Sequence, residues 1–519
     1  MTSIKGAKPL RVLMELRPCF DGYAGIPQET RLLFGALAAL PEFSLGGLLN
    51  GGESVGDAAI GMRDGASPAE VVYAQAARLI ALDIGGDKLT SSLPARVVRR
   101  FLPRRMSARY LTSRHRGLVE RLDGFIDPVL FNDWLWNRLF RLGLGLADRP
   151  LIDRAEYPVP QLSWGFSLEL AKRGDLFRVG LDLASSDWDI YVAQTPSPYR
   201  LIGGRMIVRY HDAVPLLWPH TIQNAGAHAS EHHVMLRQNV ADGAWFACTS
   251  EPVREDLLRL YPEVADRSSV IPTMSAGSFC PDPRPPREIA SIARRGRAAA
   301  AAKREHRPGS RDAHRHDGDG TSGSDRDREM HEPFVLAVST LEPRKNYAML
   351  LRAAADARRR GATFRLTVVA SLGWRSDEEL ALLDDLVREG VVDHLADVET
   401  DDLRALYSAA HLVVCPSRAE GFDLATVEAM ACGTPVLASD IPVHRWVCGD
   451  AAEYFDAYDS PALARTLSEL TAMPKGEGRL AELSARGLAR AALYRPGVLT
   501  SKWEVLLDTV GRSRPISQR

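Results

Sequence analysis

Apolar residues in this chain fall into two alternating patterns, short runs with strand character and longer stretches with a 3.6-residue repeat. Arg11 to Leu16 is a strand, and a glycine-containing turn, Asp21-Gly-Tyr-Ala-Gly-Ile-Pro, follows it. The next helix runs from about Gln28 to Leu40, with Leu32, Leu33, Ala36, Leu37 and Leu40 on one face. Further along come a strand over Met206–Tyr210, a strand ending at Ser250, a helix over Glu251–Leu260 and a strand over Val270–Pro272. Strands that alternate with helices predict a parallel, doubly wound sheet.

The pattern stops near Pro281. Residues 285 to 332 are rich in Arg, Ala, His, Asp, Gly and Ser, with almost no large apolar side chain after Ile292, so burial has little with which to offset chain entropy. Residues 281–332 therefore read as a disordered, low-complexity insertion or linker, and the four histidines scattered there do not make a metal site. The alternation resumes at Phe334. It gives strands at Phe334–Ser339, Phe364–Ala370, Leu412–Cys415 and Pro435–Ser439, with helices over Asn346–Arg360, Asp377–Glu389 and Leu403–Ala410 between them. This is a second doubly wound α/β unit, whose ligand belongs outside the carboxyl ends of its strands. The expected domains are 1–280, with a basic insertion near 85–150, and 333–495, followed by a helix and tail over 496–519.

A chain of 519 residues exceeds one ordinary core, in keeping with two domains. Its 65 lysines and arginines nearly cancel 66 aspartates and glutamates, which argues against nucleic-acid binding by bulk charge. The six cysteines form no C-x-x-C pair and no zinc spacing, so they read as reduced thiols. With no run of about 20 apolar residues and no apolar leader, the expected location is cytoplasmic.

Chemistry concentrates between Glu420 and Glu428, which read Glu-Gly-Phe-Asp-Leu-Ala-Thr-Val-Glu before Ala-Met-Ala-Cys-Gly-Thr-Pro-Val. A strand, a turn at Gly421–Asp423 and a helix from Leu424 to about Cys432, stopped by Gly433, offer helix N-terminal N–H groups as a seat for phosphate. Glu420 precedes that seat and Glu428 lies one turn inside the helix. This segment resembles the E-x7-E signature of retaining glycosyltransferases of family 4, which have the two-domain GT-B fold and use nucleotide-diphospho-sugars. The resemblance implies that Glu420 contacts the donor sugar and Glu428 the nucleotide ribose, with Gly421, Phe422, Asp423 and Leu424 around the diphosphate.

The loop Ser339-Thr-Leu-Glu-Pro-Arg-Lys-Asn puts two cations at a strand-to-helix turn, where positive charge opposes the helix dipole unless an anion binds. Arg344 and Lys345 resemble the family's diphosphate-binding pair. The chain has Ser339-Thr340 where many members have Gly-Arg, so Arg344 stands in for the missing arginine. His211, in Arg209-Tyr-His-Asp, matches a histidine that faces the donor sugar across the cleft, with Asp212 available to orient its ring. Gly25 matches the family's glycine-rich loop, a simple tight turn being the alternative. Asp423 and Ala425 stand where Gly or Ser and Pro are more usual.

Between Arg96 and Arg116 the chain has eight arginines and no acid, interleaved with apolar and aromatic residues, as suits an anionic bilayer surface. The alternative is a solvated helix with snorkelling arginines. The resemblance implies a retaining hexosyltransferase with catalytic Lys345, Glu420 and His211, acting on a saccharide or lipid-linked acceptor in cell-surface polysaccharide synthesis. No metal and no cofactor beyond the nucleotide-sugar donor is expected. Leu341-Glu-Pro-Arg-Lys-Asn with Gly373-Trp374 looks most like the mannosyltransferase branch, which favours GDP-mannose. The rival reading is a non-catalytic subunit of the same fold that binds a partner transferase or membrane, and a GT-B epimerase comes third.

Overall fold

The computed structural model describes residues 9–22, 25–51, 67–83, 118–305, 333–373 and 377–513. The Arg96–Arg116 segment and the histidines at 306, 314, 316 and 331 lie outside the described residues.

Two six-stranded sheets dominate the fold. The first contains β1 (Leu10–Glu15), β2 (Phe43–Leu48), β3 (Ile190–Ala193), β4 (Arg205–Tyr210), β5 (Trp245–Cys248) and β6 (Ser268–Val270). All its pairings are parallel, in the order β6-β5-β4-β3-β1-β2. The second contains β7 (Phe334–Leu341), β8 (Arg365–Leu372), β9 (Val392–Leu395), β10 (Leu412–Cys415), β11 (Val436–Ser439) and β12 (Ala452–Phe455). These are also all parallel, in the order β9-β8-β7-β10-β11-β12. The strand cores, such as Val12–Met14, Val192, Val208, Val335–Ala337 and Val413, are fully or almost fully buried, as parallel strands covered on both faces require.

In each sheet the strand order reverses once, and a crevice opens at that point. In the first it lies between β1 and β3, so the segments following Glu15 and Ala193 meet there. In the second it lies between β7 and β10, so the segments following Leu341 and Cys415 meet. The helices of importance are α1 (Ile26–Ala38), α2 (Pro68–Asp83), α3 (Pro286–Glu305), α4 (Tyr347–Arg359), α5 (Leu424–Ala431) and α6 (Pro496–Arg512). The closing helix α6 crosses back to the first domain. Gly511 lies against Leu10, and the Ser513 carbonyl accepts from Arg205 Nε at 2.8 Å.

One expectation is corrected. Residues 286–305, read from composition as disordered, form the 20-residue helix α3 along the edge strand β9. Few large apolar side chains are available, but Ile292 and Ala300 are buried, and Gly296 lets the helix approach so closely that its carbonyl accepts from Ala396 N at 3.0 Å. Ion pairs add to this contact: Arg295–Asp402 at 2.5 Å, Arg297–Asp393 at 3.3 Å and Arg304–Asp384 at 2.9 Å. The helix thus covers what would otherwise be an exposed sheet edge.

Candidate active site

The loop after β7 tightens into a turn of 3₁₀ helix over Pro343–Lys345, and Asn346 then takes φ 61° to begin α4. Asn346 is locked there by its side-chain amide, which donates to the carbonyls of Pro416 and Ala457 at 3.0 and 2.9 Å. This turn aims both cations at the loop after β10. Lys345 Nζ lies 2.5 Å from Glu420 Oε1, and Arg344 Nη1 lies 2.7 Å from Oε2. Ser417 Oγ donates to the same carboxylate at 2.7 Å. The cations, Arg344 foremost, hold the Glu420 carboxyl far below the ordinary range even though burial alone would raise it. Glu342, which accepts from Arg344 Nε at 3.1 Å, is a second acid in the cluster, and its carboxyl is raised by burial.

Directly beyond Glu420 the backbone enters α5. No side chain caps the N-terminus of this helix, so its first turn presents N–H groups to a ligand. Asp423, in the N-cap position, has φ 70°, a backbone conformation that strains most side chains. The departure from Gly or Ser is thereby explained, because Asp423 Oδ2 lies 3.0 Å from Nε2 of the fully buried His444. His444 Nδ1 in turn lies 3.0 Å from Ser439, whose hydroxyl donates to the Ser417 carbonyl. The pair thus braces the turn that leads into α5. Phe422 points the other way, against Tyr494 and Trp446, so only its backbone can serve a ligand.

Glu428 sits one turn into α5 and is 7% exposed. Tyr407 Oη donates to it at 3.2 Å, and Gln28, from the first turn of α1, bonds it across the domain boundary. Burial pushes the Glu428 carboxyl up to about 8, so it is mostly neutral at pH 7. Gly25 is the N-cap of α1 at φ 66°, and its carbonyl accepts from Glu29 N at 3.0 Å.

The two domains touch at the centre of this arrangement. Gly421 lies so close to His211 that a Cβ there would run into the His211 carbonyl oxygen. The Gly421 carbonyl accepts from Thr249 Oγ1 at 3.1 Å and from Ser250 Oγ at 2.9 Å. His211 is therefore at the domain boundary. Its ring, however, is turned into its own domain, with Nδ1 3.2 Å from Glu29 and Nε2 3.0 Å from the Gln194 carbonyl. Asp212 does not orient the ring. Its Oδ1 accepts from Val214 N at 2.9 Å.

Sequence reasoning missed Glu29, Gln28, Tyr407, Glu342 and Ser417. Of these, Glu342 lay inside a loop already singled out and Ser417 three residues ahead of Glu420, whereas Glu29 and Gln28 read as the ordinary start of an amphipathic helix. A cavity of about 490 Å³ lined by Arg11, Phe125, Glu156 and Trp188 adjoins the other end of β1 and takes no part in this site. Among the described residues no group of three or more His, Cys, Asp or Glu is placed to hold a metal ion.

Comparison with known proteins adds to this geometry. Residues 324–486 match the model of the family described as glycosyl transferases group 1. The match covers 163 residues, under a third of the chain. An O-antigen chain mannosyltransferase B of Escherichia coli is 36% identical over 166 residues, 31% of this chain and 42% of the relative. A D-inositol 3-phosphate glycosyltransferase of Rhodococcus opacus is 36% identical over 150 residues, 28% of this chain and 32% of the relative. The chain thus spans less than half the length of these curated relatives. A sucrose-phosphate synthase from Thermosynechococcus elongatus superposes with a TM-score of 0.55 at 15% identity, covering 96% of this chain and 99% of that one. The fold is GT-B, with the Glu420–Lys345 cluster at the junction of its two sheets.

Proposed function

We propose that this chain is a retaining glycosyltransferase that moves a hexosyl group, mannosyl favoured, from a nucleotide-diphospho-sugar to a saccharide or lipid-linked acceptor in cell-surface polysaccharide synthesis. The observation that carries the reading is the convergence of Arg344 and Lys345 on Glu420 beside the uncapped N-terminus of α5. Two cations and a helix terminus can stabilise the charge that grows on a departing diphosphate. Glu420 orients the sugar and Glu428 the ribose, while the leaving phosphate takes the proton of the attacking hydroxyl. GDP-mannose as the donor is supported by the Escherichia coli relative, a mannosyltransferase, and by an O-antigen chain mannosyltransferase of Salmonella typhimurium that is 30% identical over 158 residues.

A charged cluster of this kind is a poor scaffold element, because buried ion pairs add little net stability. That weighs against a non-catalytic subunit. On the acceptor side, α2 leaves Val72, Tyr73 and Ile80 exposed on one flank, and the eight arginines of 96–116 follow it in sequence. Apolar contact next to dense positive charge fits an anionic bilayer, the source of a lipid-linked acceptor. Among the described residues no helix is long and apolar enough to cross a membrane.

The test is turnover of a panel of nucleotide sugars, with the anomeric configuration of the product read by NMR. Turnover of one donor with retention is expected, and loss of that turnover in Lys345→Ala. Product of inverted configuration, or turnover indifferent to Lys345, would refute the reading.

A further inference from the structure

The cavity at the amino end of β1 has the make-up of a second binding site. It opens where that strand meets the short antiparallel pair Phe125–Ile126 and Tyr157–Pro158 and the turn over Ala184–Ser186. Its volume, about 490 Å³, falls in the usual range for small-ligand sites, roughly 300–1,000 Å³. The inner wall is fixed by packing. Trp188 is 4% exposed and occupies the space that Gly46 leaves by having no Cβ. The Arg11 guanidinium lies over that indole, 4.3 Å from its centre, and Nη2 donates to both oxygens of Glu156 at 2.7 and 2.8 Å. The backbone N–H of Arg11 is tied to Asp189 Oδ2 at 2.9 Å.

The rim carries polar groups that the fold leaves unused. Asp123, Arg154 and Ser185 line the cavity, and among the described residues the carboxylate, the guanidinium and the hydroxyl have no hydrogen bond or ion pair. Phe125 stands with them, 41% exposed. The charged lining consists of Arg11 and Arg154 against Asp123 and Glu156, so it sums to zero. A phosphate or carboxylate would meet two acids there, and a cation would meet two guanidiniums. A neutral polyhydroxylated ligand meets neither repulsion. Each of its hydroxyls can donate to Asp123 or accept from Arg154, and the C–H face of a pyranose can cover the Phe125 ring. The cavity is also separate from the donor cluster. Arg11 and Glu15 stand near opposite ends of β1, about 13 Å apart at ~3.3 Å per residue, and the crevice of that sheet opens beyond Glu15.

We propose that this cavity binds a neutral oligosaccharide away from the donor cleft, with a pyranose ring on Phe125 and its hydroxyls held by Asp123 and Arg154. Asp123, Arg154 and Glu156 are exposed, so a chain longer than the cavity can run out over the rim. That the bound chain is the acceptor, gripped apart from the end being extended, rests on the transferase reading; the binding itself does not. A second hold of this kind raises the effective concentration of a long acceptor at the cleft and does nothing for a short one. Its signature is an acceptor KM that falls as the chain lengthens.

The experiment titrates the full chain with mannotetraose, maltotetraose and chitotetraose and reads binding by saturation-transfer NMR. The wild type should bind at least one of them. Phe125→Ala and Arg154→Ala should each raise the dissociation constant of that sugar about ten-fold, as loss of a ring contact or of a charge-assisted hydrogen bond implies. With GDP-mannose as donor, the double variant should raise the KM of a ten-residue mannan fragment about five-fold and leave kcat and KM for mannobiose within about two-fold. Binding of none of the three sugars by the wild type, or equal binding by the variants, would overturn the proposal. If Phe125→Ala does not fold, Arg154→Ala and Asp123→Ala decide. If GDP-mannose is not turned over, the donor assignment fails and the binding comparison still decides the cavity. Weakened sugar binding with an unchanged KM for the long acceptor would overturn the acceptor role alone.

Discussion

Glu428 offers the sharpest quantitative test, because its carboxyl is placed where only the neutral form is comfortable. Burial in α5 moves it from the ordinary 4.5 up to about 8, against the opposing hydrogen bonds of Tyr407 and Gln28. Between those two values the folded protein holds a proton that the unfolded chain has released, so stability falls as pH rises through this window. At 1.36 kcal/mol per pH unit, ionisation of the unfolded chain weakens folding by about 3 kcal/mol at pH 7. Glu428→Gln removes the effect. The amide is nearly isosteric, its oxygen can still accept from Tyr407, and it cannot ionise. Melting of wild type and variant by calorimetry at pH 5 and pH 8 reads the difference. For a domain of this size ~3 kcal/mol corresponds to roughly 6–12 °C. The variant should gain little at pH 5 and melt several degrees higher than wild type at pH 8, while losing donor affinity. An equal difference at both pH values, or a variant less stable at pH 8, would refute the reasoning.

Lys345→Ala should lower kcat by about 100-fold with a smaller change in donor KM, because the cation acts chiefly on the departing diphosphate; steady-state kinetics with the donor panel checks this. Gly421→Ala should separate the domains, since the new Cβ meets the His211 carbonyl, and small-angle scattering should show a larger radius of gyration together with lost turnover. Replacing residues 306–332 with a short Gly-Ser linker should leave melting and activity close to wild type, whereas removing Pro286–Glu305 as well should cause loss of soluble protein by exposing β9. Changing Arg99, Arg100, Arg104 and Arg105 to Glu should abolish salt-sensitive sedimentation with anionic liposomes but spare transfer to a short water-soluble acceptor; sedimentation equal to wild type would refute the membrane contact.

The parts of the candidate site that lie within one local segment could be picked out from the sequence. Glu420, the Gly421 turn and Glu428 fall within nine consecutive residues whose turn and helix signals agree with the strand before them, and Arg344 and Lys345 stand at an adjacent strand end. What could not be read are the partnerships that depend on packing across long separations. Glu29 looks like a carboxylate placed in a first turn to suit the helix dipole, and nothing local says that it meets Arg209, 180 residues away. The ring direction of His211 is likewise set by Gln194 and Glu29, both distant in sequence. Helix α3 escaped because composition counts large apolar residues, while this helix is held by alanine packing, one close glycine and ion pairs to a neighbouring strand and helix. Asp423 looked like a departure that weakened the signature until His444, 21 residues later, appeared as its partner.

The return of α6 to the first domain has a consequence for the order in which this protein can be completed. Trp503 is buried against the Arg209 guanidinium, and Gly511 rests on Leu10 at the start of the first strand. During synthesis the first sheet emerges long before these residues do, so its charged interior stays unsealed until α6 has followed the second sheet out of the ribosome. A segment made after the second sheet thus closes the sheet made before it. Loss of a few residues from α6 would therefore be felt at β1 and β4, far from the cut in sequence, and a ribosome stalled just before α6 would display a second sheet already formed beside a first sheet still open.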